Sequence, residues 1–162
     1  MNRILNQRKP DGVIQIYSDD GEQKESVTPV KYHIDSADIP EVITGLKNLH
    51  KLGITVLDVK FGKNEQGQIR IIAPETFGFE EVLPVNTRYN LPEKTPVKFK
   101  SDLWCLGCAI IGKNIPNRFM NTQASLDMYI SKMDNSEILK HLFKLDPSKR
   151  DFPHVKEECI IC

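Results

Sequence analysis

The run SDLWCLGCAII, residues 101–111, decides how this 162-residue chain is read. Ser101 or Asp102 can cap a helix, and Leu103, Trp104, Cys105, Leu106, Cys108, Ala109, Ile110 and Ile111 leave that helix apolar on every side. Such a helix belongs in the middle of a domain. The same run carries Cys105 and Cys108 as a Cys-x-x-Cys pair behind a tryptophan, and a second pair, Cys159 and Cys162, closes the sequence. Redox and zinc chemistry therefore compete with a structural reading of the cysteines.

Length and composition fit one globular domain. The chain is 40% hydrophobic and 27% charged, ordinary usage for a folded protein. Lys plus Arg and Asp plus Glu balance at 22 each, so no global field attracts nucleic acid or an anionic membrane, and only a local patch could do so. The opening MNRILNQRKPDG is polar with no apolar run behind it, and no stretch approaches the ~20 apolar residues of a membrane span. The expectation is a cytoplasmic protein with reduced thiols.

Outward from the central run, GVIQIY reads as a short strand and SDDGEQKES as a charged loop. Ile39, Val42, Ile43, Leu46, Leu49 and Leu52 fall at helical spacing. Asp38 is placed to cap that helix, Pro40 sits in its first turn, Glu41 completes a capping box, and Gly53 stops the run. ITVLDVKFG and QIRII read as strands joined by the turn-prone KNEQG. A long proline-bearing stretch from Ala73 to Lys100 has little periodicity, and helices are predicted over about 122–133 and 136–145, the second with an Ile138, Leu142, Leu145 stripe. The fold class is mainly α with a small β element, divided into a polar extension (1–12), a domain (13–153) and a tail (154–162).

The order of these pieces resembles the C-terminal lobe of eukaryotic-type protein kinases, across roughly Val13 to Pro153. Leu91-Pro92-Glu93 resembles the Ala-Pro-Glu that ends a kinase activation segment, and Arg150 of LDPSKR stands where the family places the arginine that pairs with that glutamate. Asp102 matches an aspartate that hydrogen-bonds the catalytic-loop backbone, and Trp104 and Gly107 also match. Asp58 and Lys60 resemble the aspartate and lysine of His-Arg-Asp-Leu-Lys, with Val56 and Leu57 in place of the histidine and arginine. The resemblance implies a helical kinase-like C-lobe with Glu93, Asp102, Trp104, Gly107 and Arg150 as structural residues.

The departures bear on activity. Too little chain precedes the first helix for an N-lobe, and no Gly-x-Gly-x-x-Gly or following lysine is found. Lys63 falls where the magnesium-binding asparagine would stand, Asn64 lies one place late, and Ala73-Pro74-Glu75 replaces Asp-Phe-Gly. Asp58 and Lys60 are then degenerate catalytic-loop positions. Without nucleotide, Asp58 reads as a polar loop residue rather than a general base, and Glu75, Glu80 and Glu81 read as solvated rather than metal-binding. No cofactor and no metal are expected.

The cysteines divide. Cys105 and Cys108 lack the preceding apolar strand and exposed helix start of a thioredoxin-type site, and read as small core hydrophobes. A zinc site from both pairs would span the 50 residues between Cys108 and Cys159, against about 15–20 in zinc-binding arrangements. The terminal CIIC fits Cys-a-a-X, which points to prenylation at Cys159. One prenyl chain gives only marginal membrane binding, so a partner or second signal is required. The expected function is a catalytically inactive kinase-like interaction module, tethered to cytosolic membrane surfaces through Cys159, with a protein partner such as another kinase, a prenyltransferase, and no nucleic acid. The alternative is an enzyme that reuses the fold for a different transfer reaction with Asp58 as base.

Overall fold

The protein is described from a computed structural model. It covers residues 13–15, 27–29, 34–57, 59–73 and 89–154, with side chains over 34–57, 59–71 and 89–154. The described residues are mainly helical with one small sheet. In chain order they form β1 (Val13–Gln15), β2 (Val27–Pro29), α1 (Ile39–Lys51), β3 (Phe61–Asn64), β4 (Ile69–Ala73), α2 (Lys100–Ile111), α3 (Gln123–Ser131) and α4 (Ser136–Leu142). Short 3-10 turns cover Ser36–Asp38, Asn117–Phe119 and Pro147–Lys149.

The sheet runs β1-β4-β3-β2. β3 and β4 form the antiparallel hairpin, with Phe61 opposite Ile71 and Lys63 opposite Ile69. β1 joins the outer side of β4 in parallel, Val13 against Ile71. β2, within the region read as following a charged loop, pairs antiparallel with β3 and was not expected from sequence. Three residues give no legible alternation, and Pro29 lacks an N–H. That proline suits β2 only because it is an edge strand. The turn of the hairpin is shorter than KNEQG: Lys63 and Asn64 belong to β3, and Gly67 takes φ +78 in the loop. Asn64 closes it by donating from Nδ2 to Gln68 Oε1 (3.0 Å) and accepting the Gln68 N–H at Oδ1 (2.9 Å).

α1 is amphipathic as its spacing requires. Ile39, Val42, Ile43, Leu46 and Leu49 are all buried and pack beneath β4. Burial of each such side chain contributes about 1.5–3 kcal/mol before entropy is counted. Its start differs from the expected capping box. The 3-10 turn over Ser36–Asp38 runs straight into the helix, so Asp38 is already helical (φ −89°, ψ −15°) and its side chain makes no cap bond. Asp38 instead meets Lys63 at 3.3 Å, and Glu41 pairs with Arg70. Both acids clamp the helix to the hairpin rather than cap it.

α2 is the axis of the core, buried from Ser101 through Ile110. It begins one residue before the expected cap, after Phe99 at φ +64, so Ser101 and Asp102 lie in its first turn. Gly112 ends it at φ +75. α3 is capped by Thr122, whose Oγ1 accepts the Ser125 N–H at 3.1 Å. α4 ends at Leu142, and its buried side chains are Leu139 and Leu142, with Ile138 and Leu145 half-buried beside them. Phe143, directly after α4, lies against Gly107. A Cβ on Gly107 would come within 2.7 Å of the Phe143 ring, and that ring also meets Trp104 edge-on at 4.9 Å. Gly107→Ala is therefore expected to destabilise the protein by about 1–3 kcal/mol in urea titration, as overpacking does. An unchanged midpoint would mean that the ring moves aside without cost.

Candidate functional site

The first turn of α2 holds a buried carboxylate with three donors. Asp102, fully buried, accepts the Leu57 N–H at Oδ1 (2.6 Å) and the Val56 N–H at Oδ2 (2.9 Å), and His50 Nε2 donates to Oδ2 at 2.8 Å. A carboxylate can only accept, so the tautomer of His50 is fixed with hydrogen on Nε2. Leu57 is buried and left-handed (φ +58), a conformation that a branched side chain disfavours. The two short bonds from Asp102 supply the constraint that holds it there. The Val59 N–H returns to Leu57 O at 3.0 Å, closing a tight turn. Asp58 itself lies outside the described residues, as do Glu75, Glu80 and Glu81. Lys60 is exposed.

A second cluster gathers at the start of α2, around Lys100 and Ser101. Arg150 is 1% exposed, and Nη1 and Nη2 donate to the two oxygens of Glu93 at 2.7 and 2.9 Å. Nη1 also donates to Lys100 O (3.0 Å) and Nε to Lys144 O (2.8 Å), so four of the five guanidinium hydrogens are used. Lys100 Nζ answers with a bond to Arg150 O at 2.6 Å. Ser101 Oγ donates to Glu93 Oε2 (3.0 Å) and accepts the Val97 N–H (2.7 Å). The guanidinium lies 5.1 Å from the Trp104 ring. Leu91-Pro92-Glu93 is thus tied to the start of α2 and to the end of the described chain by one planar cation.

Asp102, Trp104, Gly107, Glu93 and Arg150 therefore share one buried neighbourhood. The positions compared with magnesium ligands do other work: Lys63 faces Asp38, and Asn64 closes the hairpin. Among the described residues no group of three or more His, Cys, Asp or Glu side chains is placed to hold a metal. His50 and Lys100 were not singled out from sequence, and Ser101 was read only as a candidate cap. The only signal for His50 was a histidine in the last turn of an amphipathic helix, which by itself says nothing of a buried carboxylate.

Cys105 and Cys108 are both buried on α2. Burial pushes the Cys108 thiol up from 9.0 to about 12, with a contact at the Ile115 backbone and the charge of Arg150 opposing the shift only in part. Its neutral form is the one that folding favours. Its contribution to stability is complete below pH ~9 and is lost as pH rises through about 12. Cys159 and Cys162 lie outside the described residues. At the far end of α2 a cleft of about 550 Å³ opens between Ile34, Ile110, Ile111 and Met133, with Lys113 and Lys132 at its rim. No helix in the described residues is long and apolar enough to cross a membrane.

Comparison with known proteins matches no family model, no curated protein and no solved structure.

Two outcomes test these placements. Arg150→Met should cost about 3–5 kcal/mol in chemical denaturation, since it leaves Glu93 buried without its partner; a loss under ~1 kcal/mol would show that the pair is dispensable. Iodoacetamide at pH 8 should leave Cys105 and Cys108 unmodified in the folded protein and label them at the unfolding rate in denaturant. Labelling of either in the native state would contradict their burial.

Proposed function

We propose that the chain is a catalytically inactive kinase-like interaction module, tethered to cytosolic membrane surfaces by a prenyl group on Cys159. The observation that carries the first half is the Asp102 web. A buried carboxylate in the first turn of the central helix grips the backbone immediately before Asp58, as the resemblance to the kinase C-lobe implies, and Glu93 and Arg150 form the pair that the same resemblance implies. The scaffold of such a lobe is kept while the chemistry is not. Phosphoryl transfer is positioning plus neutralisation of phosphate charge by metal, lysine and backbone. Here a lysine already committed to Asp38 stands at one metal position and an alanine of β4 at the other. One aspartate without those partners supplies no electrostatic stabilisation of a transferring phosphoryl group.

The partner is a protein, and another kinase fits the kinase-like character of the lobe. The tether rests on the terminal Cys-Ile-Ile-Cys pattern.

Thermal-shift titration addresses the inactive site: Mg·ATP up to millimolar concentration is expected to leave Tm unchanged, and a saturable, magnesium-dependent rise would overturn the reading. Metabolic labelling with a prenyl analogue addresses the tether. Label is expected on the native protein and not on Cys159→Ser, and equal labelling of both would exclude that cysteine.

A further inference from the structure

A row of side chains crosses the surface above Asp102. Lys47 Nζ stands 5.5 Å over the Phe152 ring, Phe152 lies 5.5 Å from His50, His50 lies 4.7 Å from Phe99, and Lys98 Nζ stands 5.0 Å over Phe99. The order is cation, ring, imidazole, ring, cation. Lys51, one turn beyond Lys47 on α1, adds a third exposed ammonium to the same end of the helix. Elements far apart in sequence supply the row: α1, the residues before α2, and the segment after Pro147–Lys149.

The described acids nearest the row make contacts of their own. Asp102 is buried beneath His50 with its three donors, Glu93 is held by Arg150, and Asp151 is turned to His141 at 3.1 Å. Lys47, Lys51 and Lys98 have no carboxylate partner among the described residues. Among the described residues, three exposed ammoniums without carboxylate partners are thus interleaved with half-buried aromatic rings.

We infer that this Lys47–Phe152–His50–Phe99–Lys98 row, with Lys51, is a docking surface for an anionic lipid bilayer. Two features favour a bilayer over other polyanions. The charges are lysine ammoniums, compact point charges suited to a fluid layer of headgroups rather than to the bidentate recognition that an arginine fork gives. The rings are not open platforms. Each of Phe99 and Phe152 has a lysine over it and His50 beside it, so neither offers a clear face on which a nucleic-acid base could stack. The cleft between Ile34 and Met133 is at the other end of α2, about 18 Å away along the helix. Electrostatic attraction of this kind is worth roughly fivefold in partitioning per lysine near the surface. It is the second signal that a singly prenylated chain would need. The inference deepens the membrane half of the proposed function, but it concerns the folded surface and does not require lipid on Cys159.

The test uses the unmodified 162-residue chain, so that prenylation plays no part. Sedimentation with vesicles of phosphatidylcholine containing about 30% phosphatidylserine should show binding that pure phosphatidylcholine does not, lost at ~0.5 M salt as screening requires. Lys47→Gln/Lys51→Gln/Lys98→Gln should weaken it on the order of a hundredfold with Tm unchanged, because all three side chains are exposed. Lys113→Gln/Lys132→Gln, at the other end of α2, should bind as the native protein does. Equal binding to neutral and anionic vesicles, or equal binding by the triple variant, overturns the assignment. So does retention of a single-stranded oligonucleotide by the native protein, abolished in the triple variant, without vesicle binding.

Discussion

The structure depends on a carboxylate taken out of water. Asp102 gives up its hydration at the start of the most buried helix, and three directed donors replace it: two consecutive backbone N–H groups and an imidazole. Desolvation of an acid is costly unless such partners are in place. The same bonds bind α1, through His50, and the turn at Val56–Leu57 to α2. They fix the direction of the chain as it leaves α1 for the hairpin, and they hold Leu57 in a backbone conformation that it would not adopt alone. Because the donors come from residues 45–52 positions away, the network cannot form until α1 and α2 are packed, which couples local geometry to the whole core.

Arg150 does the corresponding work on the other flank. Its guanidinium joins Glu93, the carbonyls of Lys100 and Lys144, and the Trp104 ring, so a segment before α2 and one after α4 are held by one rigid group. Trp104, Phe143 and Gly107 pack together beside the Arg150 cluster, and the absence of a Cβ at Gly107 is what lets the Phe143 ring approach. Placing charged clusters inside a helical core contributes less to net stability than apolar packing of equal volume would. What such clusters add here is directional: each specifies which elements meet and in what orientation.

Much of this was legible in the sequence, for identifiable reasons. The all-round apolar character of Leu103 to Ile111 marked α2 as the buried axis, and the 3.6-residue spacing from Ile39 to Leu49 marked the core face of α1, because burial imposes those patterns directly. Glu93, Asp102 and Arg150 were reached only through resemblance, since nothing in a single sequence relates residues 57 positions apart. The errors share one cause. Asp38, Glu41 and Ser101 sit where local rules predict caps, yet each side chain is taken by a distant partner: Lys63, Arg70 and Glu93. Tertiary ion pairs and a hydrogen bond overrode local capping. β2 was missed because a three-residue edge strand has no pattern to read, and the surface row was invisible because its five side chains come from three separated stretches of chain.

The described residues present a basic aromatic row near His50 and a mixed cleft beyond Ile110, on a scaffold whose buried polar groups join distant elements. The central claim is that Asp102 holds the Val56–Leu57 turn in place, and native-state hydrogen exchange tests it most directly. In the native protein the Val56 and Leu57 amides should exchange only through global unfolding, as slowly as the amides in the middle of α2. In Asp102→Ala they should exchange at least about a hundredfold faster than those of α1, through local opening of the turn. Equal protection of the two amides in both proteins would contradict the claim.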